Sequence, residues 1–285
     1  MISVILTTYN RPDALQAVLT GLAAQQNYHF EVVIADDGST PATAAVIQEY
    51  QHSLTLTHVW HEDKGFRAAA IRNKAILKSQ GEYIVFLDGD CIPRPDFISQ
   101  HETLAETGYF IAGNRVLISE AATQRYLAAH EPLHLWSFAQ YQQAARQKDF
   151  RRSFALHQFP GQFWRKHISQ SWQGVRTCNL GVWKKDLQTI NGFDESYTGW
   201  GHEDADLAVR LLRAGIKRKD GRFATTVLHL WHRENDRSKL QENEQRLAQI
   251  LASKQTEATT GLREYLQIRQ ELSVPPPHSP LNAGD

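Results

Sequence analysis

Residues 83–90 have the sequence YIVFLDGD, in which five apolar side chains precede two carboxylates that flank one glycine. A short apolar run that stops at such a turn is typical of a strand buried inside a sheet. Similar runs lie upstream and alternate with helical patterns, which predicts βαβ units and a mostly parallel α/β sheet flanked by helices. The upstream strands are predicted at residues 2–6, 30–35 and 54–60, and the helices at residues 12–22, 42–50 and 67–78.

The composition is that of a globular protein without a charge bias. The chain has 285 residues, 41% of them hydrophobic, and its 31 Lys and Arg balance 31 Asp and Glu. A zero net charge excludes a protein that generally coats nucleic acid, and no apolar run approaches the ~18 residues of a membrane-spanning helix. The N-terminus enters a strand without a leader pattern, and Cys91 and Cys178 cannot build a disulfide framework. We therefore expect a cytoplasmic protein in a reducing compartment.

Three polar loops follow predicted strands, at residues 7–11, 36–40 and 88–90. Ligands of open α/β sheets bind beyond the carboxyl ends of the strands, so one cleft should collect these loops. Asp88 and Asp90 are two residues apart in extended backbone and can face one ligand, where their hard oxygen donors suit Mg²⁺ or Mn²⁺ bound to phosphates. An acidic surface turn is the alternative. Asp37 can accept a hydrogen bond from a base N–H or a ribose hydroxyl, or it can form a simple Asx turn.

The C-terminal half carries a second acidic cluster and a pair of histidines. Residues 199–206, GWGHEDAD, place three carboxylates in the first turn of a helix predicted at residues 203–213. The helix dipole favours an ionised carboxylate there, as a general base requires. Capping by acids explains one or two of them but not the flanking Gly-Trp-Gly, and the indole of Trp200 suits the face of a sugar ring. His229 and His232 end the last predicted strand, where either imidazole could be a metal ligand or a structural residue.

The middle of the chain is aromatic and basic. Residues 136–172 hold nine aromatic residues and six Lys or Arg against one acid, a local charge of +5. Such a stretch suits an interfacial surface beside anionic lipid or the small core of an acceptor subdomain, and the sequence leaves both open. Residues 236–270 have amphipathic helical periodicity, and three prolines at 275–277 lie in a tail expected to be disordered.

Several of these motifs occur together in one known family. Residues 2–11, 35–39 and 86–90 resemble the nucleotide-sugar half of family 2 glycosyltransferases, whose GT-A fold is Rossmann-like. Residues 191–206 resemble the acceptor-side module shared with β-1,4-galactosyltransferases and bacterial chondroitin-polymerase-type enzymes. Many galactosyltransferase relatives carry E-D-D-D where Ala205 interrupts the acidic run here. The resemblance implies inverting transfer of a hexose or N-acetylhexosamine from a UDP-sugar to a glycan hydroxyl, in bacterial surface polysaccharide or lipopolysaccharide synthesis.

The resemblance also implies a role for each matching residue. Asp204 falls on the catalytic base, and Glu203 would hold a sugar hydroxyl. The implied nucleotide-binding residues are Thr7, Tyr9, Arg11, Asp37, Arg67, Arg72 and Asp88. The implied ligands of Mn²⁺ or Mg²⁺ are Asp88, Asp90 and, without a choice between them, His229 or His232. The implied sugar-binding residues are Asn179, Trp200, Gly201 and Asp206.

Domains and partners follow from the same resemblance. We expect a nucleotide-sugar-binding half, an aromatic and basic helical insertion, an acceptor-binding and catalytic half, a C-terminal helical segment and a disordered tail, at residues 1–118, 119–175, 176–235, 236–273 and 274–285. The expected partners are a nucleotide-sugar donor and a glycan acceptor, with no nucleic acid. A lipid-linked acceptor would bring the protein to the inner face of the cytoplasmic membrane.

Two other functions stay open at the level of sequence. A sugar nucleotidyltransferase also uses a parallel sheet and carboxylate-held Mg²⁺, but the N-terminal region has no glycine-rich triphosphate loop with a lysine. A non-catalytic carbohydrate-binding module would explain the tryptophans but not the acidic pair at residues 88–90.

Overall fold

The computed structural model describes residues 1–151, 153–159, 161–168 and 170–273, so the tail expected at 274–285 lies outside the described residues. Within the described part, the chain forms helices packed around two sheets. In chain order the elements are β1 (Ile2–Thr8), α1 (Pro12–Ala23), β2 (Phe30–Asp36), α2 (Pro41–Glu49), β3 (Leu56–Trp60), α3 (Ala68–Lys78), β4 (Tyr83–Asp88), β5 (Cys91–Ile92), α4 (Phe97–Leu104), β6 (Tyr109–Ala112), β7 (Arg115–Ile118), α5 (Glu120–Ala128), α6 (Phe138–Arg146), β8 (Phe150–Arg151), β9 (Asn179–Trp183), α7 (Lys184–Thr189), α8 (Glu203–Arg213), β10 (Lys217–Asp220), β11 (Val227–His229), α9 (Leu240–Ala252) and α10 (Leu262–Ser273).

The larger sheet has seven strands in the order β10-β6-β9-β4-β1-β2-β3, and it confirms the predicted mostly parallel α/β fold. The four predicted strands lie side by side and parallel. The register pairs Thr7 with Asp88 and Thr8 with Asp36, so three polar loops leave the sheet at one edge. The insertion of β9 antiparallel between β4 and β6 differs from the purely parallel pattern that the first hundred residues indicate.

Two apolar clusters cover the two faces of this sheet. Val4 and Leu6 of β1 pack in the same cluster as Leu15 and Val18 of α1. Ile5, which points to the opposite face, packs in the other cluster with the buried residues of α3 and α8. Because successive side chains of a strand alternate between faces, a strand that is apolar throughout requires helices on both sides. The molecule is therefore a three-layer sandwich in which α8 is fixed to the sheet by its own buried face.

A second sheet of four strands, in the order β5-β11-β7-β8, was missed by the sequence prediction. Its strands are only two to four residues long, too short for a detectable period. The last predicted strand, which ends at the histidine pair, is limited here to Val227–His229. Within this sheet β11 is antiparallel to β5, and the register places His229 opposite Cys91, one residue after Asp90.

The segment with helical periodicity at residues 236–270 is largely helical but not one continuous helix. The structure has two helices, α9 and α10, with residues 253–261 between them. This connection packs against the loop after α7: the Ala258 N–H donates to the Ile190 carbonyl, and a Cβ on Gly261 would lie 1.9 Å from the Asn191 carbonyl oxygen. The backbone contact requires glycine and an extended connection, which a periodic pattern of apolar residues does not indicate.

A buried ion pair fixes the interior of α8. The guanidinium of Arg210 donates to one carboxylate oxygen of Asp206 at 2.6 and 2.8 Å, and both side chains are fully buried. Arg210 also donates to the carbonyls of Ile190 and Gly192, at 2.8 and 2.7 Å. The pair thereby ties α8 to the loop that follows α7.

Replacement of Arg210 by Met should lower the free energy of unfolding by about 3–5 kcal/mol, because the Asp206 carboxylate would remain buried without its partner. Urea unfolding followed by tryptophan fluorescence measures the change. Lys64→Met is the control, since the pair of Lys64 with Glu62 is solvent-exposed and its loss should leave the urea midpoint in place. A loss under about 1 kcal/mol in R210M would contradict a structural role for the pair.

Candidate active site

A cleft of about 550 Å³ opens where the polar loops leave the large sheet. Its lining comes from the loops after β1 and β4, the start of α3, the N-terminus of α8 and the residues around the end of β11. All but three of the predicted site residues line it. Those in the lining are Thr7, Tyr9, Arg11, Asp37, Arg72, Asp88, Asp90, Trp200, Gly201, Glu203, Asp204, His229 and His232.

Asn179 and Asp206, both expected to bind sugar, do not lie in the cleft. Asn179 is buried, and its amide donates at 3.0 Å to the carbonyl of Asn114. Asp206 is fully buried against Arg210. The polar groups of both side chains bond to neighbouring parts of the fold. We therefore assign Asn179 and Asp206 a structural role and not a role in sugar binding.

Asp37 lies at one end of the cleft with both carboxylate oxygens already bound. Oδ2 accepts from the backbone N–H of Arg67 at 2.8 Å, and Oδ1 lies 2.6 Å from Nε2 of His61. The side chain of Arg67, expected near the nucleotide, donates instead to the carbonyl of Glu62 outside the cleft lining. Arg67 therefore acts on Asp37 through its main chain.

Tyr9 presents an aromatic ring at the same end of the cleft. The side chain is 48% exposed, and its hydroxyl donates to Asp63 Oδ2 at 2.9 Å. This hydrogen bond, together with partial burial, raises the pKa of Tyr9, so the phenol stays neutral. An exposed ring held at one end by a carboxylate is a suitable face for a planar base.

Arg72 joins the two acidic motifs at the centre of the cleft. Its buried guanidinium donates to Thr7 Oγ1 at 3.1 Å, to Asp88 Oδ1 at 3.2 Å and to Glu203 Oε1 at 3.2 Å. Its Cζ atom lies 5.5 Å from the ring centroid of Phe193. Burial alone would lower the pKa of Arg72, but the two carboxylates outweigh it and keep the guanidinium charged. Burial also raises the pKa of Asp88, against the opposing charge of Arg72.

The start of α8 places Asp204 in the cleft. Gly199 and Gly201 have φ of +73° and +117°, in the left-handed region that favours glycine, and this explains the Gly-Trp-Gly sequence before the helix. Burial and the neighbouring Glu203 carboxylate raise the pKa of Asp204 to about 7, against the Arg176 guanidinium 3.7 Å away. A carboxylate that titrates near neutrality is suited to accept a proton and release it again.

A set of metal-type ligands lies beside Asp90. Nε2 of His229 is 3.7 Å from Asp90 Oδ1, and Nε2 of His232 is 3.6 Å from Asp90 Oδ2. The thiol of Cys91 forms a group with Asp90 and His229, whose ligand atoms all lie within 4.8 Å of one another. Burial lowers the pKa of His229, so its imidazole is neutral with a lone pair available. Carboxylate and imidazole donors in this arrangement fit a divalent ion such as Mn²⁺.

Sequence reasoning missed two arginines that act on the carboxylates of the cleft. Arg115, the first residue of β7, lines the cleft, and the charges of Asp88 and Asp90 are among the groups that raise its pKa against burial. Arg176 lies against Asp204. Their sequence neighbours carry no motif, and the only local signal is a lone basic residue at the start of a strand or just before one. The strands at or next to these arginines pair with strands that are distant in the sequence, and this pairing brings Arg115 and Arg176 to the site.

Comparison with known proteins places these features in a family. The model of glycosyl transferase family 2 matches residues 3–169, more than half of the chain. A second model, the N-terminal domain of galactosyltransferase, matches residues 162–233. The family 2 match extends through most of the stretch at 119–175, to which the sequence analysis assigned no relative.

Curated relatives span a similar part of the chain. Validoxylamine A glucosyltransferase of Streptomyces hygroscopicus subsp. jinggangensis is 31% identical over 223 residues, which cover 76% of this chain and 52% of that protein. The hyaluronan synthase of Pasteurella multocida is 29% identical over 240 residues, 78% of this chain and 24% of that protein. The chain thus spans about half the length of the first of these relatives and a quarter of the second.

A solved structure shares the fold. Staphylococcus aureus TarS 1–349 in complex with UDP-GlcNAc superposes with a TM-score of 0.60 over 95% of this chain and 70% of that one, at 15% identity. This likeness confirms the predicted GT-A architecture. By its sequence, the chain belongs to glycosyl transferase family 2.

Proposed function

We propose that this chain is an inverting glycosyltransferase that moves a hexose or N-acetylhexosamine from a UDP-sugar to a hydroxyl of a glycan. The observation that carries the proposal is a single cleft that holds the Asp37 carboxylate, a metal-type set around Asp90, and a carboxylate with a pKa of about 7, Asp204. The names of the relatives, a glucosyltransferase and a hyaluronan synthase, support a sugar donor and a polysaccharide product, and we propose a bacterial surface polysaccharide or lipopolysaccharide.

The donor end of the cleft is built to hold a departing diphosphate. Asp88, Asp90, His229 and His232 would hold Mn²⁺ or Mg²⁺, which when bound supplies a Lewis acid for the negative charge of the leaving group. The chain adds the Arg115 guanidinium at the same place. Arg72 holds Asp88 in position through its hydrogen bond. These groups favour departure because they compensate charge that grows as the anomeric bond breaks.

The acceptor end is built to remove a proton. Asp204 accepts the proton of the attacking hydroxyl, and Glu203 is fixed by Arg72 in the same helical turn, where it can hold a sugar hydroxyl. Trp200 lies in the same wall and is 36% exposed, with Arg237 above its ring at 5.1 Å. A single displacement inverts the anomeric centre, so a UDP-α-sugar gives a β-linkage.

The two rival functions lose support from the same observations. A sugar nucleotidyltransferase would leave Asp204 and the matched galactosyltransferase segment without a role. A non-catalytic sugar-binding module would have no use for a carboxylate that titrates near neutrality beside a metal-type ligand set.

An exposed aromatic patch supports the further proposal of a peripheral membrane enzyme. We define the aromatic patch as Phe138, Phe154, Phe159 and Phe223, together with Phe163, which follows Phe159 by four residues in the sequence. Phe154 is 62% exposed and Phe163 is 81% exposed, while the ring of Phe223 lies 5.6 Å from Phe154 and 4.9 Å from Phe159. Exposed aromatic clusters of this kind mark interaction surfaces, and aromatic rings suit the headgroup level of a bilayer.

Basic residues and the helix lengths are consistent with association at the membrane surface. The exposed side chains of Arg146, Lys148 and Arg151 belong to the same segment as the aromatic patch. Among the described residues, no helix has the length and apolar character to cross a bilayer. We propose that the patch rests on the anionic inner face of the cytoplasmic membrane, where it brings the cleft to a lipid-linked glycan.

The replacement of Asp204 by Asn should reduce sugar transfer by about 10²–10⁴-fold and leave the Kd of UDP within about twofold, because the amide keeps the shape but cannot accept a proton. Release of UDP from a panel of UDP-sugars, incubated with Mn²⁺ and glycan acceptors, measures transfer, and calorimetry measures UDP binding. Glu102→Gln, at an exposed position of α4, is the control with unchanged turnover. Pyrophosphate exchange instead of UDP release, or normal turnover in D204N, would overturn the proposal.

The acid limb of the pH profile should follow Asp204. Because the carboxylate must be ionised to accept a proton, kcat/KM should fall as the pH drops below about 7. Glu203 raises this pKa and Arg176 lowers it, so Glu203→Gln should move the limb to lower pH and Arg176→Met to higher pH. The midpoint of the limb, and not the rate, is the quantity to compare. A limb at the same pH in all three proteins would exclude Asp204 as the base.

Vesicles of phosphatidylglycerol at low salt should carry the protein upward in a flotation gradient, and vesicles of phosphatidylcholine should not. The double substitution Phe154→Ser and Phe163→Ser should abolish flotation, since it removes the two most exposed rings of the aromatic patch. Tyr28→Ser is the matched control, because Tyr28 is equally exposed (79%) in the loop before β2. Absence of flotation by the wild-type protein would discard the membrane proposal.

A further inference from the structure

A chain of hydrogen bonds behind Asp37 reaches from the cleft into the protein. Nε2 of His61 lies 2.6 Å from Asp37 Oδ1, and Nδ1 of the same ring lies 3.2 Å from Nζ of Lys74. His61 and Asp37 are both buried, and neither His61 nor Lys74 lines the cleft. We infer that His61, fixed by Lys74, is a positioning residue that aims Asp37 at the base of the nucleotide and so sets the preference for uracil. The inference rests on the proposed UDP-sugar donor.

Lys74 determines which nitrogen of His61 carries the proton. An ammonium group has donors and no acceptor, so the Nδ1 atom that faces it must accept. With Nδ1 as an acceptor, the ring carries its proton on Nε2, and Nε2–H donates to Asp37. Burial lowers the pKa of Lys74, and the carboxylates of Glu195 and Asp37 oppose that shift.

Two buried donors leave the Asp37 carboxylate with about two lone-pair sites for further hydrogen bonds. An ionised carboxylate has about four lone-pair sites, and Oδ1 and Oδ2 have each used one, on His61 and on the backbone N–H of Arg67. The free sites can accept from an N–H group in the plane of the carboxylate. Uracil has such a donor at N3, where cytosine has a bare acceptor nitrogen that the carboxylate would repel. A carboxylate fixed in orientation therefore discriminates between the two bases more sharply than a mobile one.

Lys74 also interacts with the C-terminal helix, α10. Its Nζ atom lies 6.0 Å from the ring centroid of Tyr265 in α10, and the Tyr265 hydroxyl donates to Glu195 at 2.9 Å. The network therefore extends from α10, outside the sheet, to the base-facing carboxylate. Its members come from five separate parts of the chain, and no short motif contains them.

The neighbouring residues supply a matched control. His58 and Asp36 form a similar pair, with Nε2 of His58 2.9 Å from Asp36 Oδ2, but neither residue lines the cleft. The loss of either histidine removes one His–Asp bond near the end of β2 or β3. Only the loss of His61 should affect the nucleotide.

The test is calorimetry of UDP and CDP binding in MgCl₂ with four proteins: wild type, His61→Phe, His61→Gln and His58→Phe. H61F should raise the Kd of UDP about tenfold and reduce the UDP-over-CDP preference by a similar factor, since Asp37 loses its charge-assisted donor. H61Q should restore UDP binding to within about threefold, because its amide can donate to Asp37 and accept from Lys74. H58F should bind UDP as the wild type does. In turnover, H61F should raise the KM of the donor with little change in kcat.

The outcomes separate this inference from the function on which it rests. No binding of UDP by the wild type would overturn the proposed donor. Tight UDP binding by the wild type that is equal in H61F, or equally weakened in H58F, would overturn the positioning role alone. An NMR measurement of the ¹⁵N shifts of His61 in the wild type needs no variant: a proton on Nε2 supports the network, and a proton on Nδ1 overturns it.

Discussion

The site depends on one buried cation, the guanidinium of Arg72. It lies between Asp88, at the end of β4, and Glu203, at the start of α8, and bonds both at 3.2 Å. Two carboxylates without it would be buried close together, at a cost of several kcal/mol for each uncompensated charge. The cation therefore permits the end of β4 and the start of α8 to approach each other, and the other contacts of the cleft follow from that approach.

Charge balance around Arg72 also accounts for the properties of Asp204. The guanidinium is already shared between Asp88 and Glu203, so its stabilisation of Asp204 is partial, and Arg176, which lies 3.7 Å from Asp204, lowers the pKa of that carboxyl more than Arg72 does. Burial and the adjacent Glu203 then leave the pKa near 7. A direct bond between Arg72 and Asp204 would keep that carboxylate ionised but make it a weaker base, so the indirect arrangement suits proton transfer better.

The sequence predicted those parts of the fold and site that local pattern encodes. Alternating apolar and helical runs, with acids after strands, located the cleft and most of its lining. The second sheet escaped prediction because its strands are very short and its pairing is long-range. Asp206 was placed in the site because it belongs to an acidic cluster, yet Arg210 stands four residues later, a spacing that places both on one helix face and could have indicated a buried ion pair. Nothing in the local sequence of Arg176 or His61 indicates the partner that gives each its role.

Different kinds of interaction position the carboxylates at the two ends of the cleft. At the end that contains Asp204, the Arg72 guanidinium lies between the carboxylates of Asp88 and Glu203. The surrounding charges there set the pKa of Asp204. At the end of the cleft that contains Asp37, the carboxylate is held by the imidazole of His61 and a backbone N–H, and Nζ of Lys74 lies against the other nitrogen of that imidazole. A cation in direct contact with Asp37 would satisfy the carboxylate and compete with the weak N–H donor of a base. The intervening imidazole orients the carboxylate without neutralising it, so its charge remains available for recognition.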